Sequence, residues 1–403
     1  MTAIDTETTM EPHILKFPGR KLSRTGKETG PVRVCFVIDR LSRAGTETQL
    51  LALIRGLDRS RVEPSLVLLD GEDELSRSLE PEHCQVLRLG VQRLASVGSA
   101  RAMRRLRTAW RGDRPDVVQA YFLDSAYFAA PIAKWCGVPT VLRVRNNLGY
   151  WLTSRHRFMN RLVGRWVDAV LTNSDAGRQA LVEQDGLPAN SVFVMENGVD
   201  IERFARSLLP DTSKPVVRVG CVANLRPVKN VDGFLRVARQ LLTHFPKLRF
   251  EVAGDGPERA ALESLHTELG LGENLRFLGS VSDMPGFLRR NDIAVLPSHS
   301  EGMSNALLEY MAAGRAIVAT DVGANHRLIE SGKHGYLVPA GDEPAMVGAI
   351  TRLISEPFRA AAFGSAARRR AQAEFSREAM QRRFEDLYER LAGRTQLARR
   401  LAA

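Results

Sequence analysis

From residue 31 onward the chain alternates two patterns: short runs of β-branched and other apolar residues, then stretches in which apolar side chains recur every three or four positions. That alternation marks βαβ units, in which each strand is followed by an amphipathic helix packed back onto a parallel sheet. In the first half it predicts strands at 32–39, 65–69, 85–89, 117–120, 140–144, 169–172 and 191–195. A stretch at 196–215, holding Asn197, Gly198, Pro210 and Pro215 with little periodicity, reads as a connection. The pattern then restarts, with strands at 216–222, 249–253, 275–278, 293–296 and 316–319 and helices at 232–243, after Pro257 and up to Ala313. The expected architecture is α/β, with two doubly wound, Rossmann-like domains facing across a cleft. The first spans 31–200 and is completed by a C-terminal helix at about 376–395; a linker covers 201–214 and the second domain 215–375. Open parallel sheets bind ligands beyond the carboxyl ends of their strands, which places the site in the cleft.

Composition agrees with two folded domains: 403 residues, 44% hydrophobic and 26% charged. Residues 1–30 lack an apolar core segment and are expected to be a disordered lead rather than a secretory signal. Cys35, Cys84, Cys136 and Cys221 form no CxxC pair, so neither a zinc site nor a disulfide framework is indicated, and a reducing cytoplasm fits. The most apolar stretch, 122–142, is interrupted by Asp124, Pro131, Lys134 and Pro139, too polar to span a bilayer.

A formal charge of +11 points to an anionic partner: nucleotide, nucleic acid or phospholipid. Much of it sits in two basic stretches, 101–114 with Arg104, Arg105, Arg107 and Arg111, and 155–165 with Arg157 and Arg161. Both read as amphipathic helices, with Met103, Leu106 and Trp110 or Phe158, Leu162 and Trp166 on the side facing inward or toward lipid. A solvated helix face is the plain alternative to peripheral contact with an anionic membrane at the inner face of the cell membrane. A nucleic-acid-binding protein is the rival from another class, but no helix-turn-helix, zinc finger or aromatic RNA platform is present, so no nucleic acid is expected.

The richest window is 292–323, DIAVLPSHSEGMSNALLEYMAAGRAIVATDVG. A buried-type strand ends at Pro297, a polar loop carries Glu301 and Gly302, and a helix starts near Met303 or Ser304. Gly314 stands where a helix end favours a left-handed residue. The free amides around Ser304 and Asn305 suit a diphosphate, and Gly302 would let a ligand approach the backbone. Glu309 follows about 7–8 Å along the helix axis, so two carboxylates bracket the phosphate position, each an acceptor for vicinal hydroxyls. The alternative is that Ser304 merely caps the helix and Glu309 is a solvated carboxylate.

EGMSNALLE (301–309) resembles the ExxxxxxxE pattern of the retaining glycosyltransferases of family 4, which have the GT-B fold. The resemblance extends to MENGVDIERF (195–204), ANLRPVKN (223–230), VAGDGPER (252–259), FLGSVSD (277–283) and GRAIVATDVG (314–323), and covers about 32–390, more specifically in the second half. It implies transfer of a sugar from a UDP-, GDP- or ADP-sugar to a hydroxyl on a glycan or lipid-linked acceptor, with no metal and no separate cofactor. By position it implies that Glu301 meets the transferred sugar, Glu309 the ribose hydroxyls and Lys229 the departing diphosphate. The family's Arg five residues before that Lys is Asn224 here, and Arg226 is the substitute in the same loop. Gly302, Met303, Ser304 and Asn305 would contact the donor. Gly254 and the Leu278, Gly279 and Val281 segment would border the nucleotide, although turn and core account for these residues equally well. In LSRAGTE (41–47) only Gly45 is carried over from the family's glycine-rich loop. Tyr121 stands where the family often has His, so Tyr121, Arg145 and Asn146 are the acceptor-side candidates. A nucleotide-sugar epimerase and a glycan phosphorylase share this architecture and are the rival enzyme readings.

Overall fold

A computed structural model of the chain describes residues 30–70, 72–94, 96–146, 153–205 and 218–393. The expected lead therefore lies outside the described residues, apart from Gly30. The first sheet is parallel throughout and comprises β1 (Val32–Ile38), β2 (Val62–Leu68), β3 (Gln85–Arg88), β4 (Val117–Tyr121), β5 (Thr140–Val144), β6 (Ala169–Thr172) and β7 (Val192–Val194). Their spatial order is β3-β2-β1-β4-β5-β6-β7. The second sheet, also parallel, comprises β8 (Arg218–Val222), β9 (Arg249–Ala253), β10 (Leu275–Phe277), β11 (Ile293–Leu296), β12 (Ala316–Thr320) and β13 (Tyr336–Val338), in the order β10-β9-β8-β11-β12-β13. Both orders reverse direction once, between β1 and β4 and between β8 and β11, and these are the switch points where such sheets leave a crevice. The central strands β11 and β12 are buried along their whole length because helices cover both faces, which explains their unbroken apolar sequences.

Three elements depart from the pattern-based reading. β2 starts at Val62, ahead of Pro64; β3 joins it only from the Ser65–Gln85 pair onward, so Pro64 lies on a locally unpaired edge, where a missing N–H is tolerated. The helix after Pro257 begins at Arg259, two residues later than a proline-first helix would. Within the expected linker, Ile201–Phe204 forms a short helix whose Phe204 is buried in the second domain's core with Leu307, Met311 and Phe375, while 206–217 lies outside the described residues. β13 was not read from the sequence, being only three residues long and half-buried.

The chain crosses between the domains twice. Val199 and Ser376 lie side by side in a parallel bridge, with Val199 N donating to Phe375 O (2.8 Å) and Arg377 N to Val199 O (3.0 Å). Arg377 also pairs with Asp200 at 2.7 Å. Past this hinge the helix Arg377–Leu391 returns to the first domain, burying Met380, Phe384, Leu387, Tyr388 and Leu391 in one cluster with Val34 and Phe36 of β1 and Leu50 and Leu53 of the helix Gly45–Gly56. Tyr388 donates from its hydroxyl to Gln119 of β4 at 2.8 Å, and Arg61 binds Glu385, Asp386 and Glu389 of the same helix.

Candidate functional site

Two loops at the carboxyl edge of the second sheet carry the charged groups. After β8 the chain turns through Pro227–Lys229 into Asn230, whose left-handed backbone (φ 51°) starts the next helix. After β11 it runs from Pro297 to Glu301. The loops are laced together: His299 N donates to Val228 O (2.8 Å), and Asn230 Nδ2 to Pro297 O (3.1 Å). This lacing brings Lys229 Nζ to 2.7 Å from Glu301 Oε1, which also accepts from Ser298 Oγ at 2.7 Å. Glu301 is buried and Lys229 half-buried, so the site holds a desolvated carboxylate whose cation still reaches solvent. Arg226 is exposed beside them, with its N–H turned to Asn224 O.

The helix Asn305–Ala312 begins directly after this loop. Ser304 is its N-cap, its hydroxyl accepting from Leu307 N, whereas the N–H groups of Ser304, Asn305 and Ala306 find no acceptor among the described residues. These orphan donors sit at the positive end of the helix dipole and are suited to an anion. Glu309, one turn in, is half-buried and has no hydrogen-bond partner for its carboxylate among the described residues. Burial pushes its pKa up to about 7, against the pull of Arg203 and Arg377. It is therefore not a solvated surface carboxylate.

Three expectations need correction. At Gly302 the space that a side chain would fill is occupied by the first domain: a Cβ there would lie 2.4 Å from Asn146 O and 2.8 Å from Asn173 Oδ1. Its role in this structure is to let the two domains touch. Tyr121 is buried in the first domain's core, its hydroxyl accepting from Gln119 Nε2 at 2.7 Å, and burial holds the phenol well above its ordinary pKa, so it does not present an acceptor contact. Arg145 is buried and pairs with half-buried Asp185; burial lowers its pKa, and its Nε and Nη2 have no partner among the described residues.

The remaining candidates divide between cleft and scaffold. Asn305 bridges the domains: its Nδ2 donates to Gly45 O (3.2 Å), and its Oδ1 accepts from Gln49 Nε2 (3.0 Å) and Asn197 Nδ2 (2.8 Å). Asn197 also donates to Met303 O at 3.3 Å, and Gln49 exchanges two hydrogen bonds with the Gly198 backbone. Gly45 and Asn305 are so close that a Cβ on Gly45 would lie 2.8 Å from Asn305 Nδ2. Gln49 and Asn197 were missed as site residues; the signal was present, since Asn197 belongs to the MENGVD motif and Gln49 lies one helical turn after Gly45. Gly254 N donates to Gly279 O at 2.7 Å, tying the ends of β9 and β10, and Val281 packs with Leu278 against the core. Among the described residues no three His, Cys, Asp or Glu side chains gather as metal ligands.

Residues 216–356 match the model of a family described as glycosyl transferases group 1, and residues 44–198 match a glycosyl transferase 4-like domain. The chain is 32% identical over 235 residues to the lipopolysaccharide core biosynthesis mannosyltransferase LpcC of Rhizobium leguminosarum, a match covering 56% of this chain and 65% of that protein. It is 24% identical over 265 residues to an Escherichia coli UDP-Gal:alpha-D-GlcNAc-diphosphoundecaprenol alpha-1,3-galactosyltransferase, covering 60% and 67% respectively. These matches thus span about two thirds of the relatives' own lengths. Among solved structures, Anabaena HepE in complex with UDP superposes with a TM-score of 0.76 at 20% identity, covering 89% of this chain and all of that one. The sucrose-phosphate synthase of Thermosynechococcus elongatus gives 0.74 at 18% identity, covering 90% of this chain and all of its own.

Proposed function

Because the chain belongs to the group 1 glycosyl transferases and has their GT-B fold, we propose that it transfers a sugar from a nucleotide diphosphate donor to a hydroxyl acceptor, with retention at the anomeric carbon. The observation that carries this reading is the convergence, at the carboxyl edge of the second sheet, of Lys229, buried Glu301, the uncapped N–H groups of the helix Asn305–Ala312 and the unpartnered carboxylate of Glu309. The diphosphate lies on the helix amides, Glu309 accepts from the ribose diol, and the sugar reaches Glu301. As the anomeric carbon–oxygen bond breaks, Lys229 leaves Glu301 for the departing phosphate. Positive charge growing on the sugar then faces a carboxylate released from its salt bridge, so both ends of the pair gain from the reaction's charge separation. The acceptor hydroxyl attacks from the face the leaving group vacates, and its proton passes to a phosphate oxygen.

The relatives act in lipopolysaccharide core assembly and on a diphosphoundecaprenol-linked sugar, and HepE was solved with UDP and with UDP-glucose. We read this chain's acceptor accordingly as a surface-polysaccharide or lipid-linked glycan, with UDP-sugars the first donors to try. A thermal-shift panel of UDP-, GDP- and ADP-sugars tests the donor: the true one, at a hundred times its dissociation constant, stabilises by about 2.7 kcal/mol. Product NMR then reports the anomeric configuration, and inversion would refute retention. Turnover should persist in EDTA, because Lys229 and helix amides are the groups assigned to the phosphates. Loss in chelator restored by magnesium would overturn that assignment.

A further inference from the structure

The outer face of the first domain takes no part in the proposed reaction. Three helices, Val97–Gly112, Leu123–Trp135 and Ser154–Val163, form one layer there, the middle one contacting both others. The first carries five arginines and the third three, and neither contains an Asp or Glu. Among the described residues none of these eight guanidinium groups has a carboxylate or hydrogen-bond partner, and all but that of the half-buried Arg107 belong to exposed residues. Several arginines elsewhere are held by carboxylates: Arg33 by Asp113, Arg61 by Glu385, Arg236 by Glu343, Arg327 by Glu374 and Arg377 by Asp200. Eight guanidinium groups on one face thus stand without a carboxylate partner among the described residues.

Between the cations stand exposed apolar side chains. Trp135 is 73% exposed, Phe158 68% and Met103 41%. The Arg107 guanidinium lies 5.6 Å from the Trp135 ring centre, holding indole and cation side by side. Leu106 and Trp110 are buried, so the helix Val97–Gly112 is anchored in the core and cannot roll over to expose its apolar stripe. A partner therefore meets cations interspersed with aromatic tips.

We infer that this face docks on an anionic bilayer. Guanidinium groups meet lipid phosphates while Trp135 and Phe158 enter the headgroup boundary, the depth that amphipathic aromatic rings favour. Nucleic acid would also be drawn by the charge, but a helical layer with two separated rings offers no stacking platform for successive bases. In a doubly wound domain the helices run antiparallel to the strands, so the N-terminal ends of both basic helices lie at the strand-carboxyl edge, the rim of the cleft. The face runs from that rim to the opposite edge, where Trp135 ends its helix beside Arg107. The inference goes beyond the proposed transfer reaction and does not depend on it.

The test uses the full chain in cosedimentation with vesicles of phosphatidylcholine alone and of phosphatidylcholine containing phosphatidylglycerol, at low and physiological salt. Binding should require phosphatidylglycerol and weaken with salt. The combined variant Arg104→Gln, Arg105→Gln, Arg111→Gln and Arg157→Gln changes exposed side chains only. At roughly fivefold in partitioning per arginine it should bind at least a hundredfold more weakly, with unchanged melting temperature. Trp135→Ser should abolish the blue shift of tryptophan fluorescence that vesicles induce in the parent. Donor hydrolysis in solution should be the same in all variants, which separates failure of this inference from failure of the proposed reaction. Equal binding to phosphatidylcholine alone, no binding to either vesicle, binding unaffected by the four substitutions, or preferential capture of a DNA oligonucleotide over vesicles would each overturn it.

Discussion

Lys229 and Glu301 hold one another at 2.7 Å, and in the proposed reaction the donor parts them. If that parting is driven by charge leaving with the diphosphate, its benefit appears in the transition state. Lys229→Ala should then lower kcat by more than it raises the donor KM, whereas a rise in KM at unchanged kcat would show uniform phosphate binding. Glu301→Gln should remove most transfer, on the order of a hundredfold or more, as for loss of one preorganised electrostatic contact. Calorimetry should find nucleotide affinity nearly unchanged. Glu309 gives a pH signature. With a folded-state pKa of about 7 against an ordinary 4.5, it keeps a proton that the unfolded chain releases. The contribution of Glu309 to stability is therefore largest below pH 4.5 and declines as pH rises from 4.5 towards 7, by up to about 3 kcal/mol. Glu309→Gln should flatten that decline in melting temperature; an identical slope in the variant would refute the assignment. Glu301 was legible as a candidate from the strand, loop and helix around it in sequence, and Lys229 only through the resemblance of its loop to the family's. Their mutual pairing was not, since it depends on how two loops 72 residues apart are laced.

At the scale of elements, the contact between domains is polar and compact. Asn305, Gln49 and Asn197 share hydrogen bonds across it, and Gly302 lets the loop at Asn146 close in. Gln49→Ala removes the donor to Asn305 and both bonds to Gly198, so it should loosen the closed arrangement. We expect a loss of about 1–2 kcal/mol in unfolding free energy and a broader small-angle scattering profile without nucleotide, with the parent profile recovered when donor is added. An unaltered profile and melting curve would mean that Gln49 holds nothing together. Most strands could be read from their apolar runs because central strands are buried on both faces. The exceptions have local causes: β2 passes through Pro64 at an unpaired edge, and β13 is short and half-buried. Tyr121 and Arg145 were misread for a tertiary reason. Tyr121 ends β4 and Arg145 directly follows β5, but their side chains meet partners, Gln119 and Asp185, that pattern alone cannot place beside them.

At the scale of the molecule, the alternation of strand and helix was enough to indicate two domains and the cleft, whereas the crossing of the last helix is visible in full only in three dimensions. Five buried side chains of Arg377–Leu391 close the first domain's core. At about 1.5–3 kcal/mol each, their removal exceeds what a typical domain of 5–15 kcal/mol can easily lose. A chain ending at residue 375 should therefore be insoluble or lose its cooperative thermal transition. A truncated chain with a parent-like melting curve would show the helix to be dispensable.

That same helix imposes an order on biosynthesis. Val194 and Met380 are 186 positions apart, so the ribosome delivers the first sheet long before the residues that cover it. At ~5–20 residues per second the wait is roughly 10–40 s, during which the side of β1 bearing Val34 and Phe36 lacks its wall. Newborn chains would spend that interval as clients of ribosome-associated chaperones, and the first domain would gain protease resistance only after the second has been translated.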